Sequence, residues 1–289
     1  MRIFCLANNK GGVTKTTTTV NLGYGMARAG LRVLVIDTDA QCNTTYSLTG
    51  KMDQELTLFD VLINGAKMAD TIVPTQQEGL FLIPSSINLS AADLLMASAL
   101  GRERKLARSL SLVKGFDYVL IDTPPNLGVL TVNAFIACTD VIIPIALTTY
   151  ALIGISILER TMQELRDNLD VTLPIFGVIA NLDDHTNLSA DVLERCSQGL
   201  SPYQNRLFDP RLSLLPPHLF HSSVFLSTAL GAVREHFGDR VFQTVIPRNI
   251  KVEEAHNQIA CIYDYAPQST GARAYTRLVE EVLRRAQAS

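Results

Sequence analysis

The chain has 289 residues, 47% of them hydrophobic and 18% charged, with a formal net charge of −3. That composition belongs to a folded protein with a large core; it excludes a disordered chain and a uniformly basic nucleic-acid binder, but leaves room for a local basic patch. Five scattered cysteines (Cys5, Cys42, Cys138, Cys196 and Cys261) form no C-x-x-C pair, which excludes a disulfide scaffold or compact cysteine zinc site and fits a reducing cytosol.

The first apolar run, residues 3–7, is too short for a signal peptide. In chain order, residues 2–8 predict a strand, followed by a helix over 15–29 that stops at Gly30. A strand over 32–37 follows, then another over 80–84. A helix is expected over 91–112, with Gly101 as a break. Next come a strand at 118–122, a helix at 129–138, a strand at 141–146, a helix at 151–168 and a strand at 175–181. A last strand at 242–246 and a helix at 271–286 complete the series. Residues 141–158 carry no charge and approach the length of a membrane span. Pro144 and the Thr148-Thr149-Tyr150 interruption favour strand, polar loop and helix instead. Residues 198–223, with Pro202, Pro210, Pro216 and Pro217, show no clear period; the stretch of about 190–227 reads as an insertion or functional loop. His218 and His221 within it read as loop histidines, with no cysteine near them.

Strand–helix alternation with continuously apolar strands predicts an α/β fold: a doubly wound, mostly parallel twisted sheet with helices on both faces. Residues 1–289 are expected to form a single domain. Ligands in such sheets bind beyond the carboxyl ends of the strands. There the sequence places Lys10-Gly11-Gly12-Val13-Thr14-Lys15-Thr16-Thr17. A phosphate needs backbone donors, a helix dipole and close approach of the main chain. Gly11 and Gly12 permit the approach, and the following helix supplies donors and dipole. Lys15 can reach the β/γ-phosphates and the Thr16 hydroxyl can bind Mg²⁺. Two more strands end in carboxylates, one in Asp37 and Asp39, the other in Asp122. An apolar strand ending in Asp beside a phosphate loop can hold Mg²⁺ directly or through water, and Asp122 is the candidate.

These residues point to a family. Lys10-Gly11-Gly12-x-x-Lys15-Thr16 resembles the deviant Walker A motif of the ParA/MinD ATPases, a class of P-loop NTPase. Asp37-x-Asp39-x-Gln41 is similar to their A′ motif, and Ile121-Asp122-x-Pro124-Pro125 to their Walker B motif. Tyr150-Ala151-Leu152-x-Gly154, Leu182-Asp183-x-x-Thr186-Asn187-Leu188 and the string from Ile246-Pro247-Arg248-Asn249 to Ala274-Tyr275 extend the likeness toward ParA.

The resemblance implies a weak, partner-stimulated ATPase using ATP and Mg²⁺. It implies an ATP-bound sandwich homodimer in which Lys10 reaches the partner's nucleotide and Asp39 positions the attacking water, with Lys15 on the phosphates. Residues 10–17 would cradle the nucleotide, and Asn181 with Pro247, Arg248 and Asn249 would lie at the base. The dimer would bind DNA without sequence preference, and a ParB-like or adaptor protein would trigger hydrolysis. Such a cycle segregates plasmids, chromosomes or other cargo in the cytoplasm, on the nucleoid.

Four departures stand out: Thr14 for the usual Gly, Ala40 for a common Pro, Ile153 for Glu, and His185 where many relatives carry an Arg associated with DNA contact. A MinD-like membrane-associated ATPase is the alternative, but the tail from Gly271 has apolar residues interleaved with charge and is expected to pack on the sheet. An iron–sulfur reductase needs a cysteine soon after the Walker B strand, and a bacterial tyrosine kinase a Tyr-rich tail; neither is present. From Arg195 to Lys251 seven basic residues face three acidic ones, a local charge of +4. The DNA surface is therefore expected there, at Arg234, Arg248 and Lys251.

Overall fold

The computed structural model describes residues 1–147, 151–169, 171–181 and 222–288. The Leu182–Leu188 motif, His185, the Pro-rich segment and Tyr150 lie outside them.

Seven strands form one sheet: β1 (Arg2–Leu6), β2 (Val33–Asp37), β3 (Val73–Pro74), β4 (Leu80–Ile83), β5 (Tyr118–Asp122), β6 (Asp140–Ala146) and β7 (Ile175–Asn181). Their order is β3-β4-β2-β5-β1-β6-β7. Only the short edge strand β3 runs antiparallel to its neighbour. The helices are α1 (Lys15–Arg28), α2 (Asn43–Thr49), α3 (Ala92–Leu95), α4 (Lys105–Leu110), α5 (Val129–Ala137), α6 (Ala151–Leu169), α7 (Ser222–Phe237), α8 (Ile250–Asn257), α9 (Ile262–Tyr265) and α10 (Thr270–Ala288).

Alternate residues of the central strands feed two cores. Leu34, Ile36, Val119 and Ile121 pack on one face with residues of α4, α5 and α6. Val33, Val35, Phe4 and Leu120 pack on the other with α1, α8 and α10. Burial on both faces is why these strands are continuously apolar, and it is the doubly wound arrangement the alternation predicts. The tail behaves as its pattern suggests: α10 buries Ala274, Tyr275, Leu278 and Val282 in the second core. No helix among the described residues is long and apolar enough to cross a membrane.

The helical stretch over 91–112 breaks at Gly101, and the gap is wider than a single residue: α3 ends at Leu95, Gly101 adopts φ 64°, and α4 starts only at Lys105. A left-handed residue cannot continue a right-handed helix. The strand expected at 242–246 reduces to two isolated bridges to β7, Val178 with Val241 and Asn181 with Ile246. Glu281 of α10, buried to 3% exposure, explains the gap. Its carboxylate accepts from the main-chain N–H groups of Gln243 (2.8 Å) and Thr244 (2.9 Å), and the Thr244 N–H is the one in phase with the Phe242 and Ile246 donors that bond to β7, so the ladder loses its middle donor.

Parallel pairing brings the chemistry to one edge. Asp37 and Leu6 each stand in register with Asp122, so the phosphate loop, the Asp39 loop and the end of β5 leave the sheet side by side.

Candidate functional site at the carboxyl edge of the sheet

The loop between β1 and α1 takes the shape its glycines allow. Gly12 has φ 74°, and where its Cβ would stand nothing lies within 4 Å, so the main chain can be approached closely. Thr14, the departure from the usual Gly, still adopts the left-handed conformation, with φ 63° and ψ 23°. The loop geometry is therefore kept, with a β-branched residue held in a strained region. The Thr14 hydroxyl donates to the Val13 carbonyl at 2.6 Å rather than capping α1, so the first-turn amides of α1 carry no side-chain cap. The Lys10 amide donates to Asn8 Oδ1 at 3.0 Å, while the Lys10 side chain is exposed at the rim.

Lys15 is only 7% exposed, and its ammonium donates to the Lys10 carbonyl at 3.2 Å. Burial lowers its pKa from the ordinary lysine value, with Asp122 and Asp39 acting the other way. Asp122 is fully buried. Its Oδ2 accepts from Thr16 Oγ1 and Thr44 Oγ1, both at 2.7 Å, and its Oδ1 from Thr19 Oγ1 at 3.3 Å. Burial raises its pKa, against the pull of the Thr44 and Thr16 hydroxyls and of Lys15.

This donor set fits a hard, oxygen-seeking cation. The Thr16 hydroxyl spends its proton on Asp122 and so keeps its lone pairs for a metal. Thr16 would hold Mg²⁺, and Asp122, enclosed by three hydroxyls, would act through Thr16 or a metal-bound water.

Asp39 sits half-buried beside them. Its Oδ1 accepts from the Gln41 amide at 3.0 Å, and its own amide donates to Asp37 Oδ1 at 3.1 Å. Asp37 is fully buried and also accepts, on Oδ2, from the Thr45 amide and hydroxyl at 2.8 and 2.7 Å. Burial, reinforced by Asp122, pushes its carboxyl up to about 7.

The expected base residues also come together. Ile246 bridges Asn181, which brings Pro247-Arg248-Asn249 next to the end of β7. Asn181 is 3% exposed, and its buried Oδ1 has no hydrogen-bond partner among the described residues. Asn249 caps α8, accepting from the Lys251 amide, and donates to Thr270 Oγ1 at 2.6 Å. On the outer face, Arg248 lies 3.6 Å from Glu253 and Lys251 2.7 Å from Glu254. Those two carboxylates fall just beyond the window counted as +4.

Thr44, Thr45 and Ser85 escaped the sequence reading. The signal for them is modest: a pair of threonines opening α2 just after the acidic loop, and a serine just past the end of β4, the parallel neighbour of β2.

A family profile described as an AAA domain matches residues 1–175. The chain is 37% identical over 284 residues to the sporulation initiation inhibitor protein Soj of Bacillus subtilis (strain 168), covering 97% of this chain and 98% of that protein. It is 34% identical over 289 residues to the chromosome partitioning protein ParA of Caulobacter vibrioides, covering 99% and 95%. Among solved structures, a cobyrinic acid a,c-diamide synthase from Mycobacterium smegmatis with bound ADP and magnesium aligns at a TM-score of 0.75 and 28% identity, over 100% of this chain and 96% of that one.

Proposed function

The chain belongs to the ParA/Soj family of P-loop partition ATPases, and on that premise we propose that it is a slow, partner-stimulated ATPase whose ATP-bound homodimer holds DNA without sequence preference. Residues 1–289 act as one ATPase domain. The observation that carries this is the convergence of Lys15, Thr16 and Asp39 around Asp122 at the mouth of an uncapped helix N-terminus.

Phosphoryl transfer to water asks for charge compensation and an oriented nucleophile more than for covalent chemistry. The first-turn amides of α1 and the Lys15 ammonium bind the β/γ-phosphates. Bound Mg²⁺ supplies neutralisation of charge on the phosphate oxygens. Asp122 keeps the Thr16 hydroxyl aimed at the metal position. Asp39 orients water. Exposed Lys10, at the rim, reaches the nucleotide of a second copy. The Oδ1 of Asn181, buried and without a partner among the described residues, supports its place at the base, since an adenine amino group would satisfy it.

The ATP-bound form spreads on DNA through phosphate contacts, with Arg234, Arg248 and Lys251 on the proposed face. A ParB-like or adaptor protein accelerates hydrolysis and ends the bound state. Packing of the α10 apolar face into the core favours this nucleoid cycle over a MinD-like membrane cycle.

Phosphate release by the purified chain, measured with ATP and Mg²⁺ and then with DNA, tests this directly. A slow basal rate that vanishes in Asp122→Ala is expected. A rate unaffected by Asp122→Ala would refute the assignment of the site.

A further inference from the structure

We propose that Ser85, acting through a closed ring of hydrogen bonds with Thr45 and Asp37, is a positioning residue that fixes the main chain of Asp39 for hydrolysis. The proposal rests on the assignment of Asp39 as the water-orienting carboxylate.

The ring closes in four steps. Ser85 Oγ donates to the Asp39 carbonyl at 2.6 Å. The Ser85 amide donates to Thr45 Oγ1 at 2.9 Å. Thr45 Oγ1 donates its own proton to Asp37 Oδ2 at 2.7 Å. Asp37 Oδ1 then accepts the Asp39 amide at 3.1 Å. Asp39 is thus held at its N–H by Asp37 at the end of β2 and at its C=O by Ser85 after β4, with Thr45 at the start of α2 bonded to both.

Three of the four residues lie out of solvent. Asp37, Thr45 and Ser85 are fully buried at the sheet edge, while Asp39 alone is partly exposed. Burying a carboxylate is expensive unless hydrogen bonds compensate it. A helix cap for α2 would need only the Thr45 amide. The contacts that reach forward to both sides of Asp39 do nothing for α2. What they do is remove backbone freedom from the loop that carries the reacting carboxylate, and a misplacement of about 1 Å in such a group can lower a rate by about a hundredfold.

The test uses the full chain, with ATP affinity, KM and kcat measured from phosphate release in saturating Mg²⁺. Ser85→Ala should lower kcat by about tenfold, the equivalent of one hydrogen bond's worth of barrier, with ATP affinity and KM within about twofold of the parent. Ser85→Thr, which keeps the hydroxyl, should restore the rate. In an Asp39→Ala background, Ser85→Ala should cause no further loss, because its effect passes through Asp39. An unchanged kcat in Ser85→Ala, or the same loss with Asp39 already removed, would overturn the proposal while leaving the role of Asp39 intact. A wild-type rate in Asp39→Ala alone would instead overturn the role of Asp39, and the proposal with it. Should Ser85→Ala not fold, Thr45→Val against Thr45→Ser is judged by the same two criteria.

Discussion

The carboxyl edge of the sheet and the outer face of α8 use the same ingredients under opposite solvent conditions. At the edge, Asp37, Asp122 and Lys15 are buried, and six hydroxyl or amide donors converge on the two carboxylates. On α8, Lys251 and Glu254 pair in the open, and Arg248 lies near Glu253. A buried charge that loses a partner has no water to turn to, so each contact at the edge is demanding and specific. Exposed pairs are weak and exchangeable, as the proposed DNA surface requires if phosphates are to replace carboxylates there. In the function proposed above, the first region does the chemistry and the second the capture.

The sharpest break in that contrast is Lys15→Ala. It removes the buried cation found at the edge among the described residues, and ATP affinity should fall by roughly a hundredfold or more, as expected for a charge-assisted contact to phosphate. Fluorescent-nucleotide titration checks this; wild-type affinity would show that the loop is no phosphate site.

Arg234→Glu combined with Lys251→Glu probes the capture side. ATP binding should survive, while DNA retention at low salt should weaken by about tenfold or more, and wild-type affinity should fall steeply with salt at any DNA sequence. Because Glu254 already sits at Lys251, Glu254→Gln should strengthen DNA binding. Unchanged DNA retention in the double variant would move the surface elsewhere on the chain.

The edge also makes a pH prediction. The Asp37 carboxyl is raised to about 7 by burial and by Asp122. The folded chain therefore holds this proton more tightly than the unfolded one. The stability this group contributes is complete below the ordinary carboxylate range, near pH 4, and is lost as pH rises through about 7. The slope is at most about 1.4 kcal/mol per pH unit. Melting wild type and Asp37→Asn side by side between about pH 5 and 8 should show the wild type losing ground as pH rises; parallel curves would contradict it.

The smallest effect is expected at Thr14. Its left-handed backbone costs an L-residue roughly 1–2 kcal/mol, whereas glycine there loses roughly 0.4–1 kcal/mol through the unfolded chain. Thr14→Gly should therefore stabilise the chain by about 0.5–1 kcal/mol with ATP affinity preserved. Destabilisation would mean the Thr14–Val13 contact outweighs the strain.

The same division explains what could be read from the sequence. Strands buried on both faces announce themselves as apolar runs, and phosphate-loop chemistry needs Gly, Lys and Thr at fixed spacing, so β1, β2, β5 and the site around Lys15 and Asp122 were legible. The strand at 242–246 was not, because its donors go to Glu281, more than thirty residues away in sequence. Thr44, Thr45 and Ser85 were hidden for a similar reason: their roles exist only once β2, β4 and β5 lie side by side. The charge count over 195–251 stops at Lys251, and the carboxylates of Glu253 and Glu254, which lie beside Arg248 and Lys251, follow just after it.

In the function proposed above, ATP binding and ATP hydrolysis are carried by separate residues of one edge, so that bound nucleotide acts as a timer. Light scattering of Asp39→Ala with ATP and Mg²⁺ tests this separation. Asp39→Ala should show ATP affinity like that of the wild type, slow phosphate release and a persistent mass of two chains. An Asp39→Ala variant that binds ATP yet stays at the mass of one chain would contradict it.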